Sequence, residues 1–89
     1  RCTTTRRLFV HQSIHEHLLN RLTSAYQQIT IGDPLDQKNL MGPLIDEAAV
    51  QQYLDTIEEI KQLGGEILCG GKKIVRSGYY VEPTIVLAK

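Results

Sequence analysis

The sequence has no net charge, no long hydrophobic run and few cysteines, and each shortage closes off a class of function. Ten basic residues balance ten acidic ones, so neither nucleic acid nor an anionic membrane is indicated as the main partner. No apolar run approaches the roughly 20 residues that a membrane-spanning helix needs. Thr3-Thr4-Thr5 is polar where the apolar stretch of a secretory signal would lie. Cys2 and Cys69 are too few for a disulfide framework, and a reduced, intracellular chain is the expectation. A Gly-x-Gly-x-x-Gly dinucleotide fingerprint is missing as well. Gly70-Gly71-Lys72-Lys73 imitates a phosphate loop, but Glu66 stands where its first glycine belongs and Lys73 where Ser or Thr belongs.

What remains is one domain at most. The 89 residues are 42% hydrophobic and 22% charged, ordinary for a soluble globular segment. A chain of this size buries only roughly 60–65% of its unfolded surface. No methionine opens it, and Ile85-Val86-Leu87-Ala88-Lys89 closes it inside or beside a strand. Both ends read as cut, and a piece of something larger is expected.

The pattern is α/β, in the order strand, helix, loop, helix, strand, strand. Thr5 to His11 is rich in β-branched and aromatic residues and predicts a strand. Ser13 and Glu16 have the spacing of a capping box. After them Ile14, Leu18, Leu22, Ala25, Tyr26 and Ile29 recur at helical intervals, with Leu19 widening the face. Thr30 to Leu44, punctuated by Gly32-Asp33-Pro34 and Gly42-Pro43, is a long irregular connection.

Asp46 is a good N-cap for a second helix, with Ile45 and Val50 placed as a hydrophobic staple. Val50, Tyr53, Leu54, Ile57, Ile60 and Leu63 predict its buried face, and Gly64 a left-handed terminus. Glu66–Cys69, Lys72–Val75, Tyr79–Val81 and Thr84–Leu87 are candidate strands, with Pro83 marking an edge or a bend.

Cys2 is the one residue with nucleophilic chemistry in a suggestive setting, because Arg1, Arg6 and Arg7 flank it and cations favour the thiolate. Taken on residues alone, a terminal cysteine without a role is the simpler explanation, since a base, an electrophile-stabilising donor and a shaped pocket are also required. Cys69 reads as a small buried hydrophobe in a strand. His11, His15 and His17 do not converge as zinc requires, because the last two point to opposite sides of a helix. Glu47, Glu58, Glu59 and Glu66 read as solvated positions.

The segment Arg1-Cys2-Thr3-Thr4-Thr5-Arg6-Arg7-Leu8-Phe9-Val10-His11 resembles the strand entry around the nucleophilic cysteine of the NAD(P)-dependent aldehyde dehydrogenases. Ile31-Gly32-Asp33-Pro34-Leu35-Asp36, Met41-Gly42-Pro43-Leu44-Ile45 and Gly78-Tyr79-Tyr80-Val81-Glu82-Pro83-Thr84-Ile85-Val86 resemble three further segments of that family, in its order and spacing. The Arg-Cys-Thr-Thr start and the Gly-x-Tyr-Val-Glu-Pro-Thr run are most similar to the antiquitin-type branch, which oxidises α-aminoadipic semialdehyde in lysine breakdown.

The resemblance implies that residues 1–89 are part of the thiol-bearing catalytic domain, with the nucleotide-binding domain absent. It implies that Cys2 attacks the aldehyde carbon to give a thiohemiacetal, that hydride passes to NAD or NADP, and that the thioester is hydrolysed to a carboxylate. By the same resemblance the Cys2 backbone N–H is an oxyanion donor, Arg1 holds the amino acid end of the substrate, and Thr3 lines the pocket. The family's glutamate base, its oxyanion asparagine and its nucleotide-binding domain precede the cysteine, and the glutamate on the nicotinamide ribose lies past Lys89. The 89 residues alone are therefore expected to be inactive and to bind the cofactor poorly, while the parent is expected to be a homo-oligomer, a tetramer.

A cytoplasmic parent is the expectation, or a mitochondrial one in a eukaryote. The alternative reading is a non-catalytic α/β remnant that serves folding or self-association. A thiol redox protein is a third reading, for which a nearby resolving cysteine is missing. With its first strand unpaired at both edges, the piece is expected to be marginally stable or to self-associate.

Overall fold

Asp46 begins the best-anchored element. Its backbone is extended and its carboxylate oxygen Oδ1 accepts the Ala49 N–H at 2.9 Å, which satisfies one of the donors a helix start leaves open. Helix α2 follows, Glu47–Gln62. The structure is a computed structural model that describes residues 5–88. Within it, helix α1 spans His15–Gln27, and strands β1, Glu66–Cys69, and β2, Ile85–Leu87, complete the named elements. Replacing the cap, Asp46→Ala, should lower stability by about 1 kcal/mol, read as a lower urea midpoint.

The end of α2 is as well specified as its start. Leu63 is the C-cap and Gly64 follows at φ 91°, a conformation that a side chain disfavours. Gly64 N–H donates to Lys61 O at 3.1 Å and Gly65 N–H to Ile60 O at 2.9 Å. Together these bonds are a Schellman motif, which closes the helix and redirects the chain straight into β1.

Strands β1 and β2 pair antiparallel, with Glu66 opposite Leu87 and Ile67 opposite Val86. The register shifts between Ile67 and Cys69, the signature of a bulge in β1. Strand β1 contacts both helices as well as β2, so it is the seam of the molecule. The enclosed core is small: Val50 and Ile57 from α2, with Tyr80 and Val81 from the segment leading into β2. Helix α1 buries no residue completely; Leu18, Leu19, Leu22 and Tyr26 are half-buried along one face. The accessible surface is 7460 Å², against about 5,300 Å² for a compact monomer of this mass.

Four sequence expectations are corrected. Residues 5–11 form no strand, and Phe9 is 93% exposed; strand propensity is realised only against a partner, and this segment has none among the described residues. The capping box does not close, because Ser13 Oγ pairs with His11 Nδ1 at 2.8 Å and Ile14 takes the N-cap place without a side-chain bond. Ile45 is 88% exposed and staples nothing to Val50. Leu63, expected on the buried face, is exposed because the chain already leaves the helix there. Of the other candidate strands, Lys72–Val75 and Tyr79–Val81 meet at a single bridge, Lys73 opposite Val81. The α/β class and the two helices stand as read.

One polar knot ties α2 to the sheet. Tyr53 O–H donates to Glu82 O at 2.7 Å, and its oxygen lies 2.8 Å from Thr84 Oγ1. Thr84 Oγ1 also accepts the Gly71 N–H at 2.9 Å. Deleting that oxygen in Thr84→Val strands a part-buried backbone donor, and stability should fall by about 1–3 kcal/mol. Thr84→Ser, which keeps the oxygen, should recover most of it in the same urea titration.

Candidate functional site

Arg1, Cys2 and Thr3, the three residues singled out for chemistry, lie outside the described residues. The chain that follows them, Thr5 to His11, runs exposed over most of its length and enters α1 through the His11–Ser13 turn. From Thr5 the described chain runs through a turn into a helix that rests on β1.

Where α1 rests on β1, the described residues enclose an open cleft of about 700 Å³. Tyr26, Ile29, Ile31, Ile67 and Ile74 supply apolar walls, and Lys61 and Lys72 bring cations to it. Cys69 lies in this wall as a free, half-buried thiol, less enclosed than a core strand position would make it. His11, His15 and His17 do not gather. Among the described residues no three His, Cys, Asp or Glu side chains come together as a metal would need.

The glycine pair beside the cleft tests whether these residues suit a dinucleotide. Gly70 and Gly71 both have positive φ, 79° and 81°. A side chain at Gly70 would run into the Pro83 carbonyl oxygen, and the Gly71 N–H is taken by Thr84 Oγ1. The pair lets two segments of backbone approach each other and leaves no cradle of free N–H groups for a phosphate. The glycine pair does not fit the phosphates of a nicotinamide dinucleotide.

Sequence reasoning missed two arrangements around the long loop Thr30–Leu44. Its legs are joined at the base by the parallel bridge Ile31–Met41, with Gly32 N–H donating to Met41 O at 3.0 Å. Arg76 Nη1 donates to Ile31 O at 3.2 Å across 45 residues of sequence, while its guanidinium covers the Tyr80 ring at 4.6 Å. The first had a signal in the glycines at both legs. The second had none, since nothing local marks Arg76.

The sequence model of the aldehyde dehydrogenase family matches residues 1–88. The α-aminoadipic semialdehyde dehydrogenase of Bos taurus is 54% identical over 86 residues, which covers 97% of this chain and 16% of the bovine one. Lactaldehyde dehydrogenase from Escherichia coli superposes with a TM-score of 0.77 at 32% identity, over 84% of this chain and 16% of its own. An aldehyde dehydrogenase from Bacillus cereus, solved as its NAD⁺ complex, superposes with a TM-score of 0.81 at 26% identity, over 85% of this chain and 16% of its own. The chain spans about one-sixth of the length of the relatives it matches.

Proposed function

The chain belongs to the aldehyde dehydrogenase family, and on that premise we propose that it is a segment of the thiol-bearing catalytic domain of an NAD(P)-dependent enzyme that oxidises α-aminoadipic semialdehyde to the carboxylate. The observation that carries the substrate is the 54% identity to the bovine enzyme of that name, well above the 32% to the lactaldehyde enzyme. The family match begins at residue 1 and so takes in Arg1, Cys2 and Thr3.

In this reading the Cys2 thiolate adds to the aldehyde carbon. A carbon–sulfur bond forms while the carbonyl π pair moves to oxygen, where the Cys2 backbone N–H donates to the developing charge. The Arg1 guanidinium, with its planar fork, suits the substrate's distant carboxylate, and Thr3 lines the pocket between. The cofactor is held by parts of the longer protein outside the described residues, whose glycines serve packing instead. The longer protein is proposed to work as a homo-oligomer.

The test compares the chain inside its in-frame longer protein with the 89 residues alone. Each is mixed with α-aminoadipic semialdehyde or lactaldehyde and NAD⁺, and NADH absorbance is followed. The expected result is turnover by the long form, fastest per mole of α-aminoadipic semialdehyde at low concentration, and none by the short one. A folded long form that oxidises no aldehyde of a broad panel with either cofactor overturns the reading and leaves a scaffold without the chemistry.

A further inference from the structure

We propose that Arg76 is a releasable latch, and that the loop Thr30–Leu44 leaves and returns to the hairpin tip at 72–82 as one preformed flap. Two observations carry this, the loop's internal bonding and the small number of hydrogen bonds that tie it to the hairpin among the described residues.

Inside the loop, the bonds close on themselves. Thr30 O accepts the N–H groups of Leu40 and Met41 at 2.8 and 3.1 Å, and Gly32 N–H returns to Met41 O. Asp33 Oδ1 accepts the Leu35 N–H at 2.9 Å and Asp36 Oδ1 the Lys38 N–H at 3.0 Å, two Asx turns in succession. Asn39 Nδ2 donates to Asp33 O at 3.1 Å, packed so closely that a Cβ on Gly32 would sit 2.7 Å from it. None of these bonds needs the rest of the molecule.

Among the described residues two hydrogen bonds tie the loop to the hairpin, beside the cleft wall that Ile31 and Ile74 line together. Leu44 N–H donates to Tyr79 O at 2.7 Å, and Arg76 Nη1 donates to Ile31 O. The second is the one that can let go at low cost. Arg76 is exposed, so water replaces the carbonyl when the bond opens and no charge is left buried. Its resting place on the hairpin is built in advance: Tyr80 is buried under the guanidinium, and Gly78, at φ 105°, leaves room for that ring where a Cβ would meet Tyr80 Cε2 at 2.6 Å. A planar cation on an aromatic face keeps its orientation between openings.

Amide hydrogen exchange on the longer protein, followed residue by residue, tests the latch in Arg76→Ala and Arg76→Lys. A bond to a charged donor lost at the loop's base should speed exchange at the Leu44 amide on the order of tenfold. The amides of Gly32, Leu40 and Met41 should keep their protection, as should Ile74 and Glu82 of the hairpin. Arg76→Lys keeps the charge but not the fork, and should fall between wild type and Arg76→Ala. Unchanged exchange at Leu44 in both variants overturns the latch. Joint loss of protection at Gly32, Leu40 and Met41 overturns the flap. If Arg76→Ala also exposes Ile74 and Glu82, the hairpin has opened with it, and Arg76→Lys then decides by the same pattern.

Discussion

Cys2→Ala in the longer protein should lower kcat/KM for aldehyde oxidation by roughly 10⁴-fold or more, the scale on which removing a covalent nucleophile acts. Alanine can neither form nor break the carbon–sulfur bond, so the enzyme loses the intermediate that divides the reaction into two easier steps. Cys2→Ser should fall nearly as far, because a serine hydroxyl is a far weaker acid than a thiol and a far weaker nucleophile. Cys69→Ala is the matched control. Its thiol lies in the wall of the α1–β1 cleft, has no part in the proposed chemistry, and its loss should leave turnover within about twofold. The measurement is NADH production under saturating and limiting aldehyde, with near-UV circular dichroism to show that each variant is folded. Turnover surviving in a folded Cys2→Ala removes the nucleophile from the proposal.

The second large effect belongs to Gly70. Alanine there would carry the cost of a side chain at φ 79°, about 1–2 kcal/mol, and would drive its Cβ into the Pro83 carbonyl and to 2.7 Å from Thr84 Oγ1. Thr84 cannot give way freely, since its hydroxyl oxygen is held by Tyr53 and by the Gly71 N–H. Adding an overpacking cost of about 1–3 kcal/mol, Gly70→Ala should lose about 2–5 kcal/mol, enough to threaten folding of a small domain. Gly42→Ala is the comparison, because a Cβ there would stand at 3.6 Å from Pro34, ordinary contact, and should shift stability by less than about 0.5 kcal/mol. Urea midpoints of the two variants decide it. Equal midpoints would mean that the backbone at 70 and 83 separates at little cost.

Local signals were legible and distant ones were not. Asp46, the face of α2 as far as Ile60 and the Gly64-Gly65 stop all act within a few residues, and the structure places each as its chemistry requires. The expected strand at Thr5–His11 failed because a strand is completed by a neighbour, which propensity does not supply. The Ser13–Glu16 box failed to a local competitor, the imidazole of His11 two residues away, a rival that the spacing rule ignores. Arg76 on Ile31 joins residues 45 apart and could not be found by periodicity. The chemistry expected at Cys2 rests on family resemblance alone, since no single cysteine among arginines specifies a reaction. The role of Gly70-Gly71 was half legible: the spacing excluded a phosphate loop, while the need for bare backbone beside Pro83 emerged only in three dimensions.

The large accessible surface has a thermodynamic consequence. On unfolding, the chain would expose about 7,000 Å² more, where a compact monomer of equal mass would expose about 9,000 Å². Both the denaturant slope and the heat capacity of unfolding scale with that difference. Measured by itself, this segment should unfold over a wide span of urea and show a shallow dependence of stability on temperature. A broad transition would then reflect how little surface changes hands, with a single cooperative unit still underneath it.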